Sequence, residues 1–189
     1  MPPSAVKTIK DLIYWQYAKL ISKSAGFAMN NRAFQMDRFI KLRNGEIVWS
    51  STIREYIKEH EKANECIYCG SKNKLERDHI LPKSRGGPDT VENSIWVCKP
   101  CNLNKGDKRL YEWKGFYHRD DIPRIAEGKY LKLLFELHDQ SGTLNLDHKQ
   151  LVSNLCPQCD LNNICESANQ VGKLNVFCLE GMFKKTNFI

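Results

Sequence analysis

Apolar residues recur at helical spacing from Val6 to about Ser24, at Ile9, Ile13, Tyr17, Leu20 and Ile21, with most lysines off that stripe. This pattern predicts a helix with one face against a core. A second helical stretch covers Arg32–Leu42 and stops at the turn signal Asn44-Gly45. Thr52-x-x-Glu55 reads as a capping box opening a helix to about Lys62. The period then changes. Lys74–Ile80 is short and strand-like, and Pro82–Asp89, with two prolines and Gly86-Gly87, is a loop. Ser94–Val97 is β-prone through Ile95, Trp96 and Val97, and a helix opens at Pro100. The order is strand, long loop, strand, helix. A further helix runs from Pro123 to about Gln140 on Ile125, Tyr130, Leu133, Leu134 and Leu137, and Ser141-Gly142 ends it. Beyond it little regular pattern is legible.

The 189 residues are 41% hydrophobic, enough for a modest core. Their net charge of +7 is unevenly spread: residues 1–65 carry 11 basic and 7 acidic side chains, but 110–189 carry 9 and 10. The basic surplus in the first part of the chain suits a polyanionic partner, although lysines on solvated helices would give the same total. No apolar run approaches the roughly 20 residues that span a bilayer, and Met1-Pro2-Pro3-Ser4 has no apolar signal core. The expectation is an intracellular protein without membrane contact. Its eight cysteines occur largely as Cys-x-x-Cys knuckles, a metal-binding spacing rather than a disulfide framework.

Cys66-x-x-Cys69 and Cys98-x-x-Cys101 frame the strand–loop–strand segment, and four such thiolates can close one structural zinc site. Inside the frame lie Asp78-His79 and Asn93, and Asn102 follows the last cysteine. Hydrolysis of a phosphodiester needs an activated water and charge relief at the phosphoryl and leaving oxygens. His79 suits the general base, because imidazoles titrate near neutral pH. Asp78 offers a hard anionic oxygen and Asn102 a carbonyl oxygen, which favour Mg²⁺ or Mn²⁺ over a second zinc. Taken singly, each has an ordinary reading: Asp78-His79 a surface pair, Asn93 a turn residue, Asn102 a helix cap. Their joint placement inside a zinc frame is what points to catalysis.

Cys66-Ile67-Tyr68-Cys69, Asp78-His79-Ile80-Leu81-Pro82, Gly86-Gly87, Asn93 and Cys98-Lys99-Pro100-Cys101-Asn102-Leu103-Asn104-Lys105 together resemble the HNH endonuclease motif in its four-cysteine form. The resemblance covers about 40 of the 189 residues. It implies a ββα-metal (His-Me) finger, with His79 as base, Asp78 and Asn102 as ligands of the catalytic cation, and Asn93 binding backbone across the loop to orient the histidine. Many members carry histidine where this chain has Asn102.

The expected fold class is therefore α+β: a helical, basic segment over 1–62, the zinc-stapled ββα core over 63–112, and a helical, cysteine-rich segment over 113–189. The expected partner is double-stranded DNA, and a palindromic cutter would be a homodimer or part of a larger complex. Lys83, Arg85, Lys99, Lys105, Lys108 and Arg109 are candidates for phosphate contacts. Cys156, Cys159, Cys165 and Cys178 form a second metal-binding set, read as structural zinc slightly ahead of a [4Fe–4S] cluster. His60, His118, His138 and His148 have no such companions and read as structural or exposed. The alternative to a nuclease is a zinc-ribbon module that binds nucleic acid without cutting it.

Overall fold

The computed structural model describes residues 2–27, 31–49 and 64–185. The helix expected from Thr52 to Lys62, with His60, lies outside them. Within them the chain is α+β, helices accompanying one two-stranded antiparallel sheet.

α1 (Ile9–Ser24) begins at Thr8, whose hydroxyl accepts from the Asp11 amide at 3.1 Å and satisfies one free donor of the first turn. Ile9 and Lys10 donate their amides to the carbonyls of Leu146 and Leu144, so a distant loop closes the same helix end. Ile9, Ile13, Tyr17 and Leu20 of the expected stripe are buried. α2 (Arg32–Arg43) starts at Asn31, which caps the Phe34 amide, ends at Asn44-Gly45, and packs on α1.

β1 (Leu75–His79) and β2 (Ser94–Cys98) pair with Leu75 opposite Cys98 and His79 opposite Ser94. α3 (Lys99–Lys105) follows at once, with Pro100 in its first turn. This is the expected strand–loop–strand–helix order. α4 (Leu110–His118) lies outside the expectation, because Gly115 at φ 73° interrupts its helical backbone and leaves too short a period to read.

α5 (Arg124–Gln140) is the central beam. It packs against α1 and against the Val91–Asn93 turn that leads into β2, and its buried Lys129 donates to the Ser94 carbonyl. α6 (Asn162–Ser167) follows a run of short helical turns over 148–158, α, π and 3-10 in succession. Buried apolar residues of the N-terminal helices, the sheet and the tail form one continuous core, which all three expected segments share. No helix of the described residues is long and apolar enough to cross a membrane.

Candidate active site

The two cysteine knuckles converge because β1 and β2 pair. Cys66 and Cys69 precede β1, Cys98 ends β2, and Cys101 sits in the first turn of α3. Their four sulfur atoms lie within 4.8 Å of one another, with 3.6 Å between Cys69 and Cys98. Zinc–sulfur bonds of about 2.3 Å place tetrahedral ligands ~3.8 Å apart, so the quartet fits a metal such as zinc. Burial opposes ionisation of Cys66, but the backbone amides of Cys98, Cys69 and Tyr68 outweigh it and bring the thiol down to about 7.

Alternate side chains of β1 point to opposite faces. Glu76 and Asp78 turn toward α3, where Asn102 and Lys105 stand one helical turn apart. Asn102 Nδ2 donates to Glu76 Oε1 at 2.8 Å, and Lys105 Nζ lies 3.0 Å from Asp78 Oδ2. Lys105 also donates to the His79 carbonyl at 2.7 Å. Burial raises the Asp78 carboxyl and lowers the Lys105 ammonium, and each charge opposes the other's shift. Despite the short contact, Asp78 Oδ2 is buried and accepts no aligned hydrogen bond. Asn102 Oδ1 accepts none among the described residues, and no hydrogen bond joins Asn102 to Asp78. Glu76, Asp78 and Asn102 therefore offer oxygen atoms where β1 faces α3, the kind of donor a hard divalent cation takes, with the Lys105 ammonium beside Asp78.

His79 is on the other side of the strand, its side chain 25% exposed, with Nε2 2.8 Å from Asp89 Oδ1. Asp89 Oδ2 in turn accepts from Lys83 at 2.7 Å. The Lys83 ammonium, and after it the His79 ring, hold the Asp89 carboxyl below its ordinary value. A proton kept on Nε2 by that carboxylate leaves Nδ1 as the acceptor.

Asn93 is fully buried and pins the loop. Its Oδ1 accepts from the Leu81 amide at 2.8 Å, and its Nδ2 donates to the carbonyls of Leu81 and Pro88 at 2.9 and 2.8 Å. Its own carbonyl accepts from Ile80 at 2.8 Å. The loop backbone passes so close that a Cβ on Gly87 would sit 1.9 Å from the Leu81 oxygen. Only glycine fits there.

The six candidate phosphate contacts divide evenly. Lys83, Lys99 and Lys108 are exposed. Arg85, Lys105 and Arg109 are buried and engaged inside the fold, which corrects their assignment as surface contacts. Arg85 pairs with Asp160 at 2.6 Å. Arg109 meets Glu112 at 2.8 Å, Asp160 at 2.9 Å, and the carbonyls of Glu180 and Phe183. Arg109 therefore ties the sheet's flank to the tail. Sequence reading also passed over Glu76 and Asp89. For Glu76 the alternation with Asp78 along a strand was an available signal, whereas nothing local marks Asp89.

Comparisons with known proteins converge on the same segment of the chain. Residues 66–108 match the HNH endonuclease family. The HNH segment carries the whole cysteine quartet, Asp78-His79, Asn93 and Asn102, and it leaves the flanking helices and the tail unmatched. A 53-residue stretch is 40% identical to the CRISPR-associated endonuclease Cas9 of Corynebacterium diphtheriae, covering 26% of this chain and 5% of that protein. The chain thus spans a small fraction of this relative's length. No solved structure matches the chain.

Proposed function

We propose that this chain is a metal-dependent HNH endonuclease that hydrolyses phosphodiester bonds in double-stranded DNA. In this reading β1, β2 and α3 form the ββα finger. The observation that carries it is Asp78, a carboxylate buried against α3, next in the chain to an imidazole that the Asp89 carboxylate anchors through Nε2. A binding module needs neither feature.

Asp78 and Asn102, with Glu76 beside them, would hold Mg²⁺ or Mn²⁺. Such a cation relieves charge on the phosphoryl group and on the departing 3′ oxygen when bound. His79 takes a proton from water at Nδ1, while Asp89 keeps the other ring nitrogen protonated and fixes the ring's angle. Asn93 holds the loop that carries Asp89, so it acts on the histidine through backbone. The resulting ends are 5′-phosphate and 3′-hydroxyl. A zinc ion at Cys66, Cys69, Cys98 and Cys101 fastens the finger and takes no part in the chemistry. Lys83, Lys99 and Lys108 are exposed and can meet phosphates, Lys83 while also paired with Asp89.

The test is incubation of the full chain with supercoiled plasmid in Mg²⁺ or Mn²⁺. Cation-dependent nicking or linearisation is expected. Salt-sensitive binding without cleavage in any divalent cation would instead support the zinc-ribbon binding module.

A further inference from the structure

The second cysteine set differs in geometry from the first. Cys156 and Cys159 come from the turns before α6, Cys165 from α6 itself, and Cys178 from the turn at Val176–Leu179. All four line one cavity of about 40 Å³. Leu151, Leu155, Val171 and Phe177 make its walls largely apolar, and its lining contains no histidine or carboxylate. Among the described residues only the Cys66 quartet brings three or more ligand atoms within 4.8 Å of one another. No trio of the tail sulfurs meets that closely, although they share a cavity.

That combination separates two kinds of metal centre. A single zinc draws its thiolates to ~3.8 Å from one another, as the first quartet already stands. A cubane places iron and sulfide at the centre, so its thiolates sit outside a cluster and nearly twice as far apart. The cavity also has room made for it. Gly181 lines it, and a Cβ there would come 2.8 Å from the Cys159 sulfur. Asn175 turns its amide toward the Cys165 sulfur at 4.0 Å, the kind of donor that sits around cluster thiolates.

We infer that Cys156, Cys159, Cys165 and Cys178 hold a [4Fe–4S] cluster. Each thiol gives up its proton as its sulfur bonds one iron, and a [4Fe–4S]²⁺ core built from two ferrous and two ferric ions with four sulfides needs no electron from the protein. The role is structural. Asp160, next to Cys159, receives both Arg85 and Arg109, and Glu180, two residues after Cys178, accepts from the amides of Tyr111 and Glu112 at 2.7 and 2.9 Å. The cluster therefore holds the segment that grips the HNH segment's flank. This inference goes beyond the nuclease reading and does not depend on it.

The experiment is iron, sulfide and zinc analysis of the full chain purified without oxygen and reconstituted with equal ferrous and ferric iron and sulfide. Cys165→Ser and Cys66→Ser variants are treated alike, with visible spectra recorded. The expected result is four iron and four sulfide with one zinc per chain. Cys165→Ser should lose the iron and visible absorption but keep the zinc, and Cys66→Ser should do the reverse. Two zinc ions and no iron would overturn the inference, as would one zinc and an empty tail after reconstitution. Iron that survives Cys165→Ser would also overturn the assignment of that ligand.

Discussion

The buried side chain of Asn93 closes a two-way clasp on Leu81, accepting from its amide at 2.8 Å and donating to its carbonyl at 2.9 Å. One residue thereby fixes the backbone just after the proposed base and, through Pro88, the start of the segment bearing Asp89. Asn93→Ala removes all of these partners at once and strands buried backbone groups, at roughly 1–3 kcal/mol for each. With three such groups, we expect a loss of at least about 3 kcal/mol in urea unfolding. Any folded fraction should bind DNA but cleave it poorly. Unchanged stability would contradict the clasp.

Lys83 and Arg109 should respond in opposite ways, although the sequence presents both as basic residues near the motif. Arg109 is fully buried among Glu112, Asp160 and two carbonyls, so Arg109→Ala should cost about 3–5 kcal/mol by leaving buried partners unpaired. Lys83 is exposed, and Lys83→Ala should change stability by less than about 0.5 kcal/mol. It should weaken DNA binding alike for all sequences and reduce the salt slope by roughly 1. Denaturation curves and salt titrations of the two variants check this directly.

That contrast marks the limit of what the sequence reveals. The two long helices, the strand–loop–strand–helix order and the first cysteine quartet were legible, because each rests on local period or fixed spacing. The fate of Arg85 and Arg109 was not, since Asp160 is 75 and 51 residues away and the tail that delivers it carries no periodic signal. Asp89 was hidden for the same reason: its role depends on a loop folding back by ten residues onto His79. α4 escaped because Gly115 breaks its period.

His138 gives the fold a dependence on acid. It is fully buried, with Nε2 3.0 Å from the Leu179 carbonyl and Nδ1 2.7 Å from the Thr143 hydroxyl. Burial lowers its pKa from 6.5 to about 4. The folded state therefore favours neutral imidazole: the contribution is present above pH 6.5 and is lost as pH falls toward 4, at up to roughly 3 kcal/mol. Glu127 and Glu180, raised to about 7 by burial, act in the opposite sense. Urea midpoints of wild type and His138→Gln across this range isolate the histidine term. The difference between them should shrink as pH falls, and a constant difference would contradict the assignment.

The two kinds of metal should separate under chelation. Brief EDTA treatment should stop cleavage reversibly, with Mg²⁺ or Mn²⁺ restoring it, because oxygen-held cations exchange readily. Zinc at the Cys66 quartet should survive that treatment. Cys98→Ser should lose the zinc and unfold the segment around β1 and β2, as loss of a structural site does. Limited proteolysis with zinc analysis reads both outcomes.

The most direct test of the central claim is plasmid cleavage by wild type and His79→Ala in parallel, with Mg²⁺ or Mn²⁺ present and zinc content measured for both. The account predicts nicking or linearisation by the wild type and none by the variant, with equal zinc and an unchanged unfolding midpoint. A zinc-loaded His79→Ala variant that cuts at the wild-type rate would contradict it.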